Sequence, residues 1–396
     1  MNPLLTVDEA LARVLTCATP LPVEHVRLDQ AAGRILAEGI VSQVDLPPFA
    51  SSSMDGYAVR AADLPGVLRV VGRVAAGRPV LRFLGPGEAI EISTGGVVPT
   101  GADTVIPVER VLVRPDEVEI RESTVSNDNI RRVGGDVRAG ATLLPAGAEL
   151  TPARLGALAA CGIGSVPSSR RPRVAVVVTG TELVAPGEPL GAGQIYESNG
   201  VMLAAVLEAA GAVVERSAAT ADTEEAHAEA LQHALGSDVV VTSGGVSVGP
   251  HDLVRRVAAE LGVEEEFWGV AMRPGKPLAF GVRDQTLVFG LPGNPVSSLV
   301  GCILFVRPAV LALQGHPDPA PPFRPGVLAA EVRQRPGRDD FVRARTSWNA
   351  EGALLDPILG QESHMIARTT GADALVHIPR GTAVLPAGAR VRFVPL

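Results

Sequence analysis

The chain has 396 residues, of which 46% are hydrophobic and 20% charged, a composition typical of a globular protein and not of a disordered chain. This length predicts about two to four domains, and the 43 glycines and 33 prolines indicate many turns and a substantial β component. The formal net charge of −8 argues against broad contact with nucleic acid or an anionic membrane, although a local basic pocket can still hold a small anion.

The use of cysteine bears on the compartment. The three cysteines, Cys17, Cys161 and Cys302, are odd in number, far apart and set among apolar neighbours. This pattern predicts reduced thiols in a cytosolic protein and argues against a structural disulfide or a zinc site. The seven histidines show no metal-ligand spacing.

Neither a signal peptide nor a membrane span is expected. Asp8 and Glu9 stand where a signal peptide would be basic, and the longest apolar run, around Val296 to Val306, stops at Arg307-Pro308. We therefore expect a cytoplasmic protein.

Residues 6 to 18 predict an amphipathic helix. Thr6 and Glu9 form a capping box, and Pro20 and Pro22 end the helix. Its apolar stripe contains Val7, Ala10, Leu11, Val14 and Leu15.

From Ile40 to about Gly140 the sequence changes to short apolar runs separated by Gly, Pro and Asp. The clearest of these runs are "VLRVVGRVAA", "EAIEIS" and "DTVIPVERVLV". They predict an all-β insertion.

Residues 172 to 314 alternate between strand-like and helical segments. The strands are "RVAVVVTG", "AVVERSAAT", "DVVVTSGG" and "QTLVFGLPG", and the helices are "SNGVMLAAVLEAAG", "DTEEAHAEALQHAL", "HDLVRRVAAEL" and "PVSSLVGCILFVRPAVLAL". Strands that are apolar on both sides and alternate with helices predict a parallel sheet covered on both faces, a doubly wound α/β domain.

A linker, "PDPAPPFRP" at residues 317 to 325, separates this domain from short strands that continue to the C-terminus and predict a small β domain. The motif "LPAGA" occurs at Leu144–Ala148 and again at Leu385–Ala389. Two copies this far apart indicate a recurring β-turn and not a solenoid repeat.

Five polar, glycine-rich loops follow the predicted strands, and we expect them to meet at one edge of the sheet, where open α/β sheets bind ligands. They are "TGTE" (179 to 182), "TADT" (220 to 223), "SGGVSVGPHD" (243 to 252), "RPGKP" (273 to 277) and "GLPGNPVSS" (290 to 298). Gly244-Gly245 lets backbone N–H groups approach an anion, although "GGVSVG" alone also fits a plain strand-to-helix turn.

The loops carry both signs of charge. Arg273 and Lys276, with the hydroxyls of Ser297 and Ser298, are donors for an anion. The carboxylates are Glu182, Asp222 and Asp252. Both signs at one edge suggest an anionic substrate with a divalent cation such as Mg²⁺. The alternative is solvated loop charge, with Asp222 and Asp252 serving as helix caps.

Several motifs, in their order and spacing, resemble the molybdopterin molybdenumtransferases, the MoeA-like family that includes the C-terminal domain of gephyrin. They are "SMDGYAV" (53 to 59), "STGGVVPTGADTVIPVE" (93 to 109), "NIRRVGGDVRAG" (129 to 140), "TGTEL", "SGGVSVG", "PGKP" and "GLPGNPVS". The resemblance spans essentially the whole chain.

The resemblance implies a Mg²⁺-dependent transferase that converts adenylylated molybdopterin and molybdate to molybdenum cofactor and AMP. It also implies an elongated homodimer, and we expect transient contact with a molybdopterin adenylyltransferase. Because Asp55 and Thr94 lie in the β insertion while the five loops lie in the α/β domain, we expect the two subunits to share each active site. The implied units are an α/β molybdopterin-binding-like domain (1–22 and 172–316), a linking and dimerisation domain (23–41 and 141–171), an all-β insertion (42–140) and a C-terminal β-barrel (317–396).

The resemblance also implies roles for individual residues. The catalytic positions fall on Asp55, Thr94, Asp136, Glu182, Asp222, Asp252 and Lys276, with Glu182, Asp222 and Asp252 as metal ligands. The molybdate-binding positions fall on Arg273, Lys276, Ser297, Arg343 and Ser363. The pterin- and nucleotide-binding loops contain Thr179, Gly180, Ser243, Gly244, Gly245, Ser247, Gly249, Pro292, Gly293, Asn294 and Pro295.

The sequence departs from the family pattern in three places. Ala50-Ser51 replaces Asp-Asn, Thr181 stands where "TGDEL" has Asp, and Arg273 replaces the first Lys of "KPGKP". Thr181 puts the metal ligand set in question. The competing functions are an adenylyltransferase acting on molybdopterin, a paralogue that inserts tungstate, and a non-catalytic scaffold.

Overall fold

The N-terminal helix α1 (Val7–Cys17) begins as its sequence predicts. The Thr6 hydroxyl accepts a hydrogen bond from the Glu9 N–H at 3.1 Å, and the Glu9 carboxylate accepts one from the Thr6 N–H at 2.8 Å. These reciprocal bonds satisfy backbone donors that the first helical turn leaves free. The computed structural model describes residues 4–217, 223–245, 253–334, 337–350, 352–381 and 383–396.

The following region is rich in short strands. Its elements are β1 (Val23–Arg27), β2 (Ile40–Val41), β3 (Ser51–Ser52), β4 (Gly56–Val59), β5 (Gly66–Val74), β6 (Glu88–Ile92), β7 (Thr104–Pro107), β8 (Leu112–Arg114), β9 (Glu117–Ile120), β10 (Ile130–Arg131), β11 (Thr142–Leu144), α2 (Pro152–Ala160) and β12 (Ser165–Ser169). Six of them form a sheet in the order β7-β4-β6-β5-β9-β8. The predicted all-β character of residues 40 to 140 is confirmed.

Strands β1 and β12 pair antiparallel outside this insertion, and so do β2 and β11. Together with α2 they enclose a separate small core that contains Leu36, Leu150, Leu158 and Val166. The chain therefore leaves and re-enters this unit on paired strands, as expected for a domain that carries an insertion.

The central part contains β13 (Arg173–Val178), β14 (Leu183–Val184), β15 (Ile195–Tyr196), α3 (Asn199–Ala209), β16 (Val213–Arg216), α4 (Glu224–Ala234), β17 (Val239–Ser243), α5 (Leu253–Glu260), β18 (Glu264–Trp268), β19 (Met272–Arg273), β20 (Ala279–Arg283), β21 (Thr286–Leu291), α6 (Pro295–Gly301), a π-helix (Cys302–Val306) and α7 (Arg307–Leu313). The main sheet, as far as the structure describes the chain, has the order β16-β13-β17-β21-β20-β18. The first four strands are parallel, whereas β20 pairs antiparallel with β21 on one side and with β18 on the other. The expectation of a wholly parallel sheet was therefore incomplete.

Helices cover both faces of this sheet, as predicted. Alternate residues of β13 point to opposite sides: Val174, Val176 and Val178 pack with α1, α3, α6 and α7, while Ala175 and Val177 pack with α4 and α5. The continuous helix Pro295–Leu313 is the one described helix that is long and apolar enough to cross a membrane, and 89% of its most apolar window is buried inside the molecule. It is a core helix, and its π-turn lies just before Pro308, which cannot donate to the regular helical ladder.

The C-terminal part is a barrel. Its strands are β22 (Arg324–Leu328), β23 (Val332–Arg333), β24 (Asp339–Asn349), β25 (Gly352–Pro357), β26 (Ala374–Ile378), β27 (Val384–Leu385) and β28 (Arg390–Pro395). Five of them close a ring, β24-β25-β22-β28-β26 and back to β24. The small barrel is thus confirmed, but β22 begins at Arg324, so the linker is shorter than predicted.

The two "LPAGA" copies form the same turn. Gly147 and Gly388 both have positive φ, 79° and 84°. Each donates its N–H to a leucine carbonyl, Leu36 at 2.7 Å and Leu328 at 2.8 Å. The prediction of recurring turn chemistry is confirmed.

A candidate active site at the sheet edge

A crevice of about 640 Å³ lies at the carboxyl ends of β13, β17 and β21. The 179–182, 243–245 and 292–295 loops meet there, as the sequence predicts, and Pro277 represents the 273–277 loop. Thr223, the described residue of the 220–223 loop, is not among the lining residues. The wall also contains Ile195, Tyr196, Glu197, Ser198, Asn199, His364 and Ile366, which the sequence reasoning did not single out.

A second cavity, of about 430 Å³, lies between α5 and strands β17, β20 and β21. Most of its wall is apolar, and two of its charged groups, Arg255 and Glu265, hydrogen-bond each other at 2.7 Å. The crevice is the stronger candidate because polar groups from several loops converge on it.

A buried hydrogen-bond network supports the crevice from below. Asn199 Nδ2 donates to Ser243 Oγ at 2.9 Å and to the Gly293 carbonyl at 2.7 Å. Ser243 Oγ lies 3.2 Å from Ser298 Oγ, which donates to the Pro292 carbonyl. The network therefore joins the start of α3, the end of β17 and the turn before α6.

Glycines let the loops approach one another. Gly244 and Gly245 have φ values of 104° and 69°. A Cβ atom on Gly244 would lie 2.7 Å from the Thr179 hydroxyl, and one on Gly180 would lie 2.8 Å from the Glu182 carboxylate. The carboxylate of Glu182, one of the predicted acidic groups, therefore packs against Gly180 on the crevice wall.

The start of α6 brings two predicted anion-binding residues to one turn. The Ser363 carbonyl accepts a hydrogen bond from the Val296 N–H at 3.0 Å, and Ser363 Oγ accepts one from Asn294 Nδ2 at 2.9 Å. Ser297 follows Val296 and is buried. The C-terminal barrel and the α/β unit thus meet at the N-terminus of a helix, where partial positive charge favours anions.

The basic loop 273–277 packs beside this turn. Gly275 has φ 101°, and a Cβ there would lie 3.4 Å from the Ser297 carbonyl. Lys276 is half-buried, and its ammonium makes no ion pair within the described ranges. It is also the single lysine among 35 Lys and Arg residues.

Arg273, in contrast, already has an anionic partner. Its guanidinium pairs with Asp340 of β24. Burial raises the pKa of the Asp340 carboxyl, and Arg273 opposes that rise. The charge of Arg273 is therefore partly neutralised before any ligand arrives.

Arg343 does not present its guanidinium to the crevice, contrary to the expectation of direct contact with molybdate. The side chain is completely buried, and burial lowers its pKa. It donates to the carbonyls of Met365 at 2.7 Å and Gly360 at 2.6 Å and to Thr369 Oγ1 at 2.9 Å. Arg343 instead holds the segment that carries Ser363 and His364 to the crevice.

The predicted residues of the β insertion form a separate group. Asp55 Oδ1 accepts a hydrogen bond from the Thr94 N–H at 2.8 Å, and both residues are exposed. Asp136 is also exposed, and its N–H donates to the Leu46 carbonyl at 2.9 Å. Among the described residues that line the crevice, none comes from this insertion.

Asp222, Ser247, Gly249 and Asp252 lie outside the described residues. The described cap of α4 is Thr223, whose hydroxyl accepts a hydrogen bond from the Ala226 N–H at 3.3 Å. No cluster of three His, Cys, Asp or Glu side chains suited to a metal occurs in the described part of the chain. The three-carboxylate metal set stays a prediction, with Glu182 its described member.

Three family models match the chain in succession: the MoeA N-terminal region (domain I and II) over residues 5–162, a probable molybdopterin binding domain over 175–312, and the MoeA C-terminal region (domain IV) over 325–396. The molybdopterin molybdenumtransferase 2 of Mycobacterium tuberculosis is 38% identical across 97% of both chains. The molybdopterin molybdenumtransferase of Haemophilus influenzae is 37% identical across 99% of this chain and 98% of its own. The crystal structure of a molybdopterin biosynthesis MoeA protein from Pyrococcus horikoshii aligns with a TM-score of 0.85 at 34% identity, covering 99% of both chains.

Proposed function

The chain belongs to the MoeA family, and from that premise we propose that it is a molybdopterin molybdenumtransferase, which inserts molybdate into adenylylated molybdopterin and releases AMP. The observation that carries the proposal is the meeting of Ser297, Ser363 and the basic loop around Lys276 beside the crevice. Such a site suits one small oxyanion next to a larger ligand.

Molybdate is a tetrahedral dianion, and it loses hydrating water when it binds. The site must therefore supply cationic and hydroxyl donors in place of that water. The ammonium of Lys276 supplies the charge, and the hydroxyls of Ser297 and Ser363 supply directed donors. The N-terminus of α6 adds partial positive charge. Arg273 contributes less net charge because Asp340 is paired with it.

We propose Mg²⁺ as the cation, held by Glu182 together with Asp222 and Asp252. The support is that the Glu182 carboxylate lies on the crevice wall. When bound, Mg²⁺ neutralises phosphate charge and stabilises AMP as a leaving group. The residues of the crevice orient the pterin beside the oxyanion.

We further propose a cytoplasmic homodimer in which Asp55, Thr94 and Asp136 act on the crevice of the partner subunit. The support is that the insertion contributes no described residue to the crevice of its own chain. A two-fold dimer allows each insertion to reach across. Transient contact with a molybdopterin adenylyltransferase would deliver the adenylylated pterin.

The sole lysine makes the anion site testable in two ways. Lys276→Ala should weaken molybdate binding by about tenfold or more, because a charge-assisted hydrogen bond is worth roughly 1.5 to 3 kcal/mol. Adenylylated molybdopterin should still bind. An amine-selective reagent should modify the Lys276 side chain and no other side chain, and molybdate should protect it.

The assay supplies adenylylated molybdopterin with molybdate or tungstate, with and without Mg²⁺, and measures AMP release and bound metal. Arg283→Ala is the matched control. Arg283 ends β20 beside the first residue of β21, at the opposite end of the strands from the crevice. Unchanged molybdate dependence in Lys276→Ala would overturn the anion site. Failure of the wild-type protein to release AMP with either oxyanion would overturn the function and favour a scaffold.

A further inference from the structure

Asn199 is a buried polar residue on the crevice wall to which the reaction outlined above gives no role. It is the first residue of α3 and is 8% exposed. The sequence indicates only that Asn199 starts an apolar helix, because the groups that it contacts are distant in the sequence. Those groups are Ser243 and Gly293.

The hydrogen bonds determine which way the amide faces. The Gly293 carbonyl can only accept, so the atom 2.7 Å from it must be the NH₂ group of Asn199. The same NH₂ group donates to Ser243 Oγ at 2.9 Å. Both N–H bonds of the amide are thereby used, and Oδ1 faces away from these two partners.

Asn199 Oδ1 is shielded from bulk water and has no hydrogen-bond partner among the residues that the structure describes. Buried acceptors without a donor are rare in native proteins, because such a group loses its hydration without compensation. Since the residue lines the crevice, a ligand there can provide the missing donor once it displaces the groups that shield this oxygen.

The need for a hydrogen-bond donor indicates which part of a ligand can contact Asn199 Oδ1. The oxygens of molybdate and of the pyrophosphate diester in adenylylated molybdopterin carry no proton at neutral pH, so they do not satisfy this carbonyl. A planar heterocycle does: a pterin carries a lactam N–H and an exocyclic amine, and adenine carries an exocyclic amine. The nearby wall also includes the apolar side chains of Leu183, Ile195 and Ile366 and the ring of Tyr196, which suit the faces of such a ring.

We propose that Asn199 Oδ1 accepts a hydrogen bond from an N–H group of the heterocycle bound in the crevice, and that Asn199 is therefore a substrate-binding residue. The proposal rests on the proposed function for the identity of the heterocycle. It assigns Asn199 a role in recognition beyond its support of the Gly293 turn.

Equilibrium binding to paired ligands tests the proposal without turnover. Two pairs combine pterin with its 2-desamino analogue and with its 3-methyl analogue, each of which lacks one donor group. The third pair is AMP and purine riboside 5′-monophosphate, which lacks the adenine amine. Wild-type protein should bind the parent of one pair about tenfold more tightly than an analogue, the usual order for a lost hydrogen bond at a buried acceptor.

Two variants separate recognition from structural support. Asn199→Ala removes the acceptor, so the preference for the parent ligand should disappear. Asn199→Asp keeps an acceptor but loses both donors, so affinity falls for all ligands while the preference persists. Ser298→Ala, which affects the network without touching Oδ1, should also keep the preference.

The pair that shows the preference identifies the heterocycle as pterin or adenine. An equal loss for parent and analogue in Asn199→Ala would overturn the proposal and leave Asn199 with a purely structural role. A preference that requires Mg²⁺ would also overturn it, because Oδ1 would then be a metal ligand. Should Asn199→Ala not fold, equal binding of all parents and analogues to the wild type would be decisive against the proposal. Wild-type protein that binds neither pterin nor AMP would overturn the proposed function itself.

Discussion

Asp238 illustrates how one carboxylate stabilises the junction between two units. Arg170 donates to both of its oxygens at 2.6 Å, and the Arg173 N–H donates at 2.7 Å. Burial raises the pKa of Asp238, but these hydrogen bonds outweigh burial, so the net pKa is lowered. Arg170 follows β12 and Arg173 begins β13, so this site holds the entry to the central sheet.

Asp238→Asn should lower the free energy of unfolding by about 1 to 2 kcal/mol at pH 7, since Arg170 is partly exposed and its contribution is screened. A lowered folded pKa means that the stabilisation is fully present above the unfolded pKa of about 3.9 and is lost as the pH falls through the folded pKa. The melting temperatures of variant and wild type should therefore converge below about pH 4.

Thermal unfolding between pH 7 and pH 3.5 measures this difference. Glu331→Gln is the control, because its pair with Arg333 is exposed and should contribute little at any pH. A melting difference for Asp238→Asn that stays constant across the range would contradict the linkage.

At the same scale, the sequence predicted which residue types form the site better than it predicted what each one contacts. Ser363 and Ser297 lie at one turn, because the Ser363 carbonyl accepts from the Val296 N–H. The contacts of Arg343 were not predictable because two of its acceptors are the backbone carbonyls of Gly360 and Met365, which have no side-chain signature. The partner of Arg273, Asp340, is likewise distant in the sequence.

At the scale of elements, β4 depends on the absence of a side chain at Gly56. The strand lies between β6 and β7, with Gly56 opposite Ile92 and Pro107. A Cβ at this position would overlap the Ile106 carbonyl oxygen and lie 2.8 Å from its carbon. The neighbouring backbone must move before any larger residue can fit.

Gly56→Ala should destabilise the insertion by roughly 1 to 3 kcal/mol, the usual cost of overpacking. Because Asp55 is the adjacent residue, activity should fall as well. Thermal unfolding and AMP release measure the two effects. Gly72→Ala in β5 is the matched control, since nothing lies within 4 Å of a Cβ there. Equal melting temperatures for the two variants would contradict this account of β4.

The central sheet shows where element prediction from sequence stops. Apolar runs predicted β13, β17 and β21 because those strands are buried on both faces. Such runs do not encode the direction of a strand. The sequence therefore did not predict that β20 pairs antiparallel with β21. Strand β20 joins β21 through a tight turn at Asp284, which has φ 55°. The edge strand β18 was missed because three of its five residues are glutamates.

At the scale of the molecule, the crevice is built by units distant in the sequence. Strand β19 pairs with β24, which places Arg273 opposite Asp340. The Ser363 carbonyl then accepts from the first turn of α6. These contacts make the barrel part of the site. The insertion, however, brings Asp55 and Thr94 together at a separate exposed location.

A shared active site accounts for that separation and predicts complementation between damaged subunits. At a molybdate concentration well below the dissociation constant of the Lys276→Ala variant, Asp55→Asn and Lys276→Ala homodimers should each show little activity, because every site then lacks one of the two groups. In a mixed dimer, one site carries both lesions and the other carries neither. Random pairing makes about half of the dimers mixed, so refolding an equimolar mixture should restore about a quarter of wild-type AMP release.

A mixture of Asp55→Asn and Thr94→Ala chains is the control. Both lesions lie on the insertion, so every site keeps one lesion and no activity should return. If the first mixture stays inactive while wild-type chains refold normally, each site is built within one chain, and Asp55 does not act across a subunit boundary.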